Sequence, residues 1–317
     1  MAMAAEQRSA PPPPFYNFLK EAFLLPGRNR GLFMAVFVLV AVSTSALLLA
    51  SDLTVMPLAE ELRLDLKALN ATDPMSPDFA KLLKEIQDDT REMVVAPAAY
   101  VLLSVVVGSA VRIIILFAAV ATYSEERLTF GELLRKARTQ LKGPLLTLAF
   151  VYVLEIASVA LLAAMAGLLV FLMVRHYYVP FLLLSLLVFA GFVFLIYFSV
   201  LCAVSVAVAV AEPGRHGAGA FGRAWRLVKE KKRRAVLFVS ATSLLAAVVS
   251  PVHKLAMACA PSSLVAGLLL VLVYAALMSV VELFGVCAIT TFYYECKESN
   301  EVVSSDQYVR VSTEANA

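Results

Sequence analysis

Charge is the first thing this chain is short of. Only 16% of its 317 residues are Asp, Glu, Lys or Arg, whereas a soluble domain carries closer to about a quarter. With 61% of the residues hydrophobic, one or two aqueous cores could not hide the difference, so lipid must be the solvent for much of the chain. Cysteine is sparse as well. Cys202, Cys259, Cys287 and Cys296 form no CxxC pair and keep no ligand spacing, which argues against a disulfide framework and against a zinc site. The three histidines (His176, His216 and His253) fall at the ends of apolar runs, where they read as solvated boundary residues. HExxH, GxSxG, a P-loop and a GxGxxG on a strand–helix turn are all missing, so the usual carriers of metal, acyl-transfer and nucleotide chemistry are not there. We expect no catalytic residue, no metal and no cofactor. A secretory signal is lacking too: a proline run and four basic residues fill the first thirty positions, and no small-residue cleavage site follows the first apolar run. That run is expected to stay as a membrane anchor.

Long apolar stretches are what the chain has in abundance. About 20 apolar residues cross roughly 30 Å of hydrocarbon as a helix. Gly31 to Ser51 and Ala235 to Val252 carry no charge, and neither does Tyr177 to Ala211. That last stretch is too short for two spans and a turn, so it reads as one long helix, with Pro180 suited to its start. Three further runs contain one ionisable residue each: Arg112 within 93–124, Glu155 within 143–174 and Glu282 within 255–294. The predicted fold is all-α, an integral membrane six-helix bundle with spans near 31–51, 95–122, 144–172, 179–211, 235–253 and 263–292. An arm (1–30) precedes it. An acidic outer loop (52–94) reads as two short helices broken at Asp73-Pro74 and Ser76-Pro77, and a polar tail (295–317) is expected to be disordered.

Orientation follows from Lys and Arg in the connections. Segments on the N-terminal side of the membrane hold nineteen and those on the other side seven, so both termini are expected to be cytoplasmic. Asn70-Ala71-Thr72 is then a glycosylation sequon in the outer loop.

The inner connections share a pattern. Phe130, Leu133, Leu134 and Ala137 recur at i, i+3, i+4 and i+7, as do Phe221, Ala224, Trp225 and Val228; Phe15, Phe18, Leu19 and Ala22 repeat the spacing before the first span. Each set is an amphipathic helix leading into a span, so the bundle reads as three interfacial helix–span–span units. Such a helix lies at the headgroups with its basic face outward, or packs beneath the bundle as a connector. Its basic residues nominate an anionic-lipid contact surface: Arg135, Lys136 and Arg138 on one helix, and Arg223, Trp225, Arg226, Lys229, Lys231, Lys232, Arg233 and Arg234 on the other. Nucleic acid is the weaker partner for a segment pinned between two spans.

The three intramembrane charges obey one arithmetic. Twelve uncharged residues separate Arg112 from Glu125, Lys142 from Glu155, and Glu282 from Glu295, which at 1.5 Å per residue is about 18 Å. Arg112, Glu155 and Glu282 should therefore share a level near the midplane, as a structural register device or as a polar, protonatable site.

GAFGRAWRLVKEKKRRAVLF, following Ala211-Glu212-Pro213 at the end of a long span, resembles a plant family of multispan transmembrane proteins of unassigned function. More distantly it is similar to the membrane domain beside bacterial glycerophosphodiester phosphodiesterases and to YciC-type inner-membrane proteins. The resemblance implies topology and membrane residence and carries over no catalytic residue. In the tail, Tyr308-Val309-Arg310-Val311 fits a tyrosine-based sorting signal and Cys296 is a palmitoylation candidate. Three functions are open on this reading: organising anionic lipid at the cytoplasmic leaflet, proton-coupled transport through the Arg/Glu triad, or trafficking and scaffolding through the tail and outer loop.

Overall fold

The computed structural model describes residues 17–71, 77–229, 231–259 and 264–314. Every regular element among them is an α-helix: α1 (Asn17–Arg28), α2 (Arg30–Ala71), α3 (Pro77–Tyr123), α4 (Phe130–Gln140), α5 (Lys142–Val174), α6 (Tyr178–Ala211), α7 (Ala218–Val228), α8 (Lys232–Cys259) and α9 (Leu264–Glu314). Six segments of these are long and apolar enough to cross a bilayer: Arg30–Thr54, Pro97–Tyr123, Lys142–Val174, Tyr178–Ala211, Lys232–Cys259 and Val265–Ser299. A lipid-facing backbone must satisfy its own hydrogen bonds, and long helices do so. The protein is a multi-pass membrane protein.

Two expectations change. The outer loop's helical segments are continuous with the spans, because α2 runs to Ala71 and α3 starts at Pro77. The expected breaks at residues 72–76 lie outside the described residues, as does the side chain of Asn70. The tail expected to be disordered from residue 295 is instead helical to Glu314. From Val286 onward the chain has neither Gly nor Pro, so nothing in it stops α9 as the span ends. Tyr308 and its neighbours are thereby in a helix, whereas a tyrosine sorting signal is read as an extended segment.

The chain divides into two compact units. One comprises residues 34–112 and 246–282. In it, the Tyr100 hydroxyl of α3 donates to the Leu47 carbonyl of α2 at 3.2 Å, and His253 of α8 stacks on Tyr274 of α9 with ring centroids 4.8 Å apart. The other comprises residues 1–33, 113–245 and 283–317, and it contains all three short helices.

That second unit is packed at one end only. In α5 the buried residues are confined to the first turns, Gly143 to Val151, and in α6 to the last, Phe198 to Val210. The far ends of this hairpin present Phe171, Val174, Tyr178, Leu182 and Phe189 to the surroundings, as lipid-facing helices do. Around the packed end, α1 buries Phe18, Ala22 and Leu25, α4 buries Leu133 and Ala137, and α7 buries Ala220, Ala224, Leu227 and Val228. The buried members of each stripe are thus covered by protein, while Leu134 and Trp225 stay exposed; of the two placements open to these helices, packing against the bundle accounts for the buried part. Phe221 supplies the reason for α7. It meets Phe150 of α5 and Phe198 of α6 with centroids 6.2 and 5.8 Å away, contacts that an aromatic ring makes better with other rings than with acyl chains. Phe15 lies outside the described residues.

α4 is also fixed from its N-terminus. Thr129 caps it, accepting from the Glu132 amide at 3.4 Å, while the Glu132 carboxylate accepts from the Thr129 amide at 2.9 Å. This capping box satisfies two helix-end donors. Hydrogen bonds from the Thr129 amide and then from its hydroxyl hold the Glu132 carboxyl below the usual carboxylate range.

Candidate functional site

The packed end of this unit collects the chain's basic residues, and its carboxylates sort them into two classes. Glu212 follows the last residue of α6 and is mostly buried. It accepts from the Tyr293 hydroxyl of α9 at 2.9 Å and faces Arg223 of α7 at 3.5 Å and Arg215 at 3.4 Å. Tyr293 itself is wholly buried. Glu295, two residues further along α9, pairs with Arg234 at the start of α8, and its carbonyl accepts from Lys231 at 3.3 Å. Lys136 reaches Glu126 at 2.6 Å on the surface. Lys136, Arg223, Lys231 and Arg234 are therefore engaged with the protein. The six other cations nominated from sequence, Arg135, Arg138, Arg226, Lys229, Lys232 and Arg233, are exposed. Trp225 is half-exposed, edge-on to Tyr197 of α6 at 6.3 Å, a posture that suits an amphipathic ring at a membrane boundary.

Where α4 meets α5, a cavity of about 210 Å³ opens against the link between α6 and α7. The link turns on Gly214 (φ +102°) and Gly217 (φ +56°), conformations natural to glycine. It is tied down by the buried Thr147 hydroxyl, which accepts from the Gly217 amide at 2.9 Å and donates to the Gly143 carbonyl at 3.0 Å. Behind the link, the His216 ring fills the space that a side chain at residue 143 would need: a Cβ there would stand 2.1 Å from His216 Cε1. His216 is therefore part of this wall as well as exposed, which a reading of it as a plain boundary residue missed.

The intramembrane charges are split between the units. Arg112 and Glu282 belong to the same unit, both half-buried. Glu155 lies on α5 in the other unit, also half-buried. Cys202, Cys287 and Cys296 are buried and Cys259 is partly so. Cys296 is only 1% exposed, which counts against the palmitoylation reading, since acyl transfer needs an accessible sulfur. Among the described residues no group of three His, Cys, Asp or Glu side chains is arranged to hold a metal.

Residues 3–305, nearly the whole chain, match a family described as a domain of unknown function, DUF8558. The chain belongs to the DUF8558 family. The match takes in all six apolar helices and the three short ones, so the packed basic end lies inside the family domain. No curated protein and no solved structure matches the chain.

Proposed function

We propose that this DUF8558 protein is a non-catalytic membrane protein that binds and organises anionic lipid at the cytoplasmic leaflet. The observation that carries the reading is the division of labour at this end of the unit: α4 buries Leu133 and Ala137 and α7 buries Ala220, Ala224, Leu227 and Val228 in the protein, while Arg135 and Arg138 of α4, Arg226 of α7, and Lys229, Lys232 and Arg233 just beyond α7 are exposed. Basic residues held at an anionic surface contribute about 1 kcal/mol each, so six of them give a strong, salt-sensitive preference without any enclosed pocket. The excess of Lys and Arg on this side supports a cytoplasmic orientation for it. The element order of short helix, long helix, long helix, three times over, supports a chain built from three such units, each offering a basic connector to the same leaflet.

The test is lipid content. We expect that replacing the six exposed cations with Gln lowers the anionic lipid copurifying with the detergent-extracted protein several-fold, while neutral lipid is unchanged. Neutralising Lys136, the surface partner of Glu126, should change little. Equal anionic lipid in wild type and the sixfold variant would overturn the proposal.

A further inference from the structure

The cavity between α4–α5 and the α6–α7 link has the composition of a phosphate site. Its rim carries Gln140, Lys142 and His216, and no Asp or Glu lines it. The neighbouring carboxylate, Glu212, is committed to Tyr293, Arg215 and Arg223. Thr139 also lines the cavity, but its hydroxyl donates to the Lys136 carbonyl at 2.8 Å, so the side-chain donors free to converge on a ligand are the ammonium, the amide and the imidazole. A lysine ammonium is a point charge well suited to phosphate oxygens. Opposite this polar rim, Phe117 of α3 and Ala209 and Val210 of α6 form an apolar wall.

Size narrows the ligand. A volume of about 210 Å³ has room for roughly seven waters and falls below the ~300–1,000 Å³ of pockets for drug-sized ligands. It suits one phosphate with a few attached carbons. Lys142 is also the first residue of a membrane-crossing helix, which sets the rim at the depth where lipid phosphates lie.

We propose that this cavity is a phosphate-binding subsite, formed by Lys142, His216 and Gln140, that takes a phosphomonoester headgroup or the free anion. The site rests on the lipid reading above only for the source of the phosphate; its donors and its wall are distinct from the six exposed cations. Gly143 acts as a positioning residue, because its missing side chain is what lets the His216 ring sit against α5.

The full-length protein in phosphatidylcholine nanodiscs, with and without phosphatidic acid, gives the first arm, read as melting temperature and as bound phosphatidic acid by native mass spectrometry. Inorganic phosphate added to the phosphatidylcholine nanodiscs gives the second. Wild type should be stabilised in at least one arm. Loss of one charge-assisted hydrogen bond is worth about 1.5–3 kcal/mol, so Lys142→Met should weaken the effective ligand about tenfold or more. Lys142→Arg should restore part of it, and Gly143→Ala should weaken it with Lys142 and His216 both still present. Stabilisation by phosphatidic acid alone identifies a lipid headgroup; stabilisation by inorganic phosphate identifies the free anion as sufficient. If Lys142→Met and Gly143→Ala respond as wild type does in both arms, or if wild type responds in neither, the subsite is wrong. The sixfold cation variant separates the two claims: if it keeps the phosphatidic acid response but loses bulk anionic lipid, both stand. If the cavity variants respond as wild type does while the sixfold variant loses lipid, only the surface reading survives.

Discussion

Glu212→Ala should lower the melting temperature of the purified protein by about 5–10 °C. Removing one partner of a buried ion pair leaves the other charge uncompensated, at about 3–5 kcal/mol when burial is complete. Glu212 and Arg223 retain 17% and 26% side-chain exposure, so about 2–3 kcal/mol is the fitting figure, and a protein of this size loses roughly 2–4 °C per kcal/mol. The wholly buried Tyr293 hydroxyl loses its acceptor in the same stroke. Glu212→Gln keeps an acceptor for Tyr293 and gives up only the charge, so it should cost about half as much. Thermal unfolding in detergent measures both. An alanine variant as stable as wild type would mean that the network is incidental to folding.

Phe18→Ala should be of similar size or larger. The ring is fully buried, packs on Phe292 of α9 with centroids 5.8 Å apart, and its own carbonyl accepts from the Thr291 hydroxyl at 3.1 Å. Truncating a buried Phe costs about 3–5 kcal/mol, through lost burial and the cavity left behind. α1 is only twelve residues long, too short to be stable by itself, so it should detach before the spans unfold. Limited proteolysis would then cut near residue 28 in the variant under conditions that leave wild type whole. Equal protection of the two would show that α1 is held by something other than this contact. Phe18→Leu should lie between.

Both effects arise from contacts that no local pattern announces. The six apolar helices were legible because a membrane span is written in consecutive residues: apolar runs of about 20 residues or more with at most one ionisable residue inside. The short helices were legible from their i, i+3, i+4 spacing. What that spacing could not say was which surface covers the stripe, since lipid and protein are equally apolar. Phe221, between Phe150 and Phe198, decides it through partners 71 and 23 positions away in the chain.

The basic residues show the same limit. Ten cations on two connectors looked alike in sequence, but Arg234 has its carboxylate 61 residues away, and only the folded chain separates it from the exposed Arg233 beside it. The cavity was hidden for a related reason: its walls come from four elements, and its keystone is an absence, the missing Cβ of Gly143. One local signal could have been read, the Thr129–Glu132 spacing of the capping box. The helix beyond residue 295 was missed because polar composition was taken for disorder, although that stretch has no helix breaker.

The account depends on α4 and α7 facing the same, cytoplasmic, side of the membrane. Sealed microsomes, cytoplasmic face outward, allow that to be read directly with a membrane-impermeant maleimide. In a background where Cys259 is Ser, single replacements Arg138→Cys on α4, Arg226→Cys on α7 and Tyr178→Cys at the far end of the α5–α6 hairpin supply the reporters. All three positions are exposed, and Cys202, Cys287 and Cys296 are buried. The account predicts that positions 138 and 226 react without detergent and that position 178 reacts only after the membrane is opened. Reaction of position 178 in sealed vesicles, with 138 or 226 protected, would contradict it.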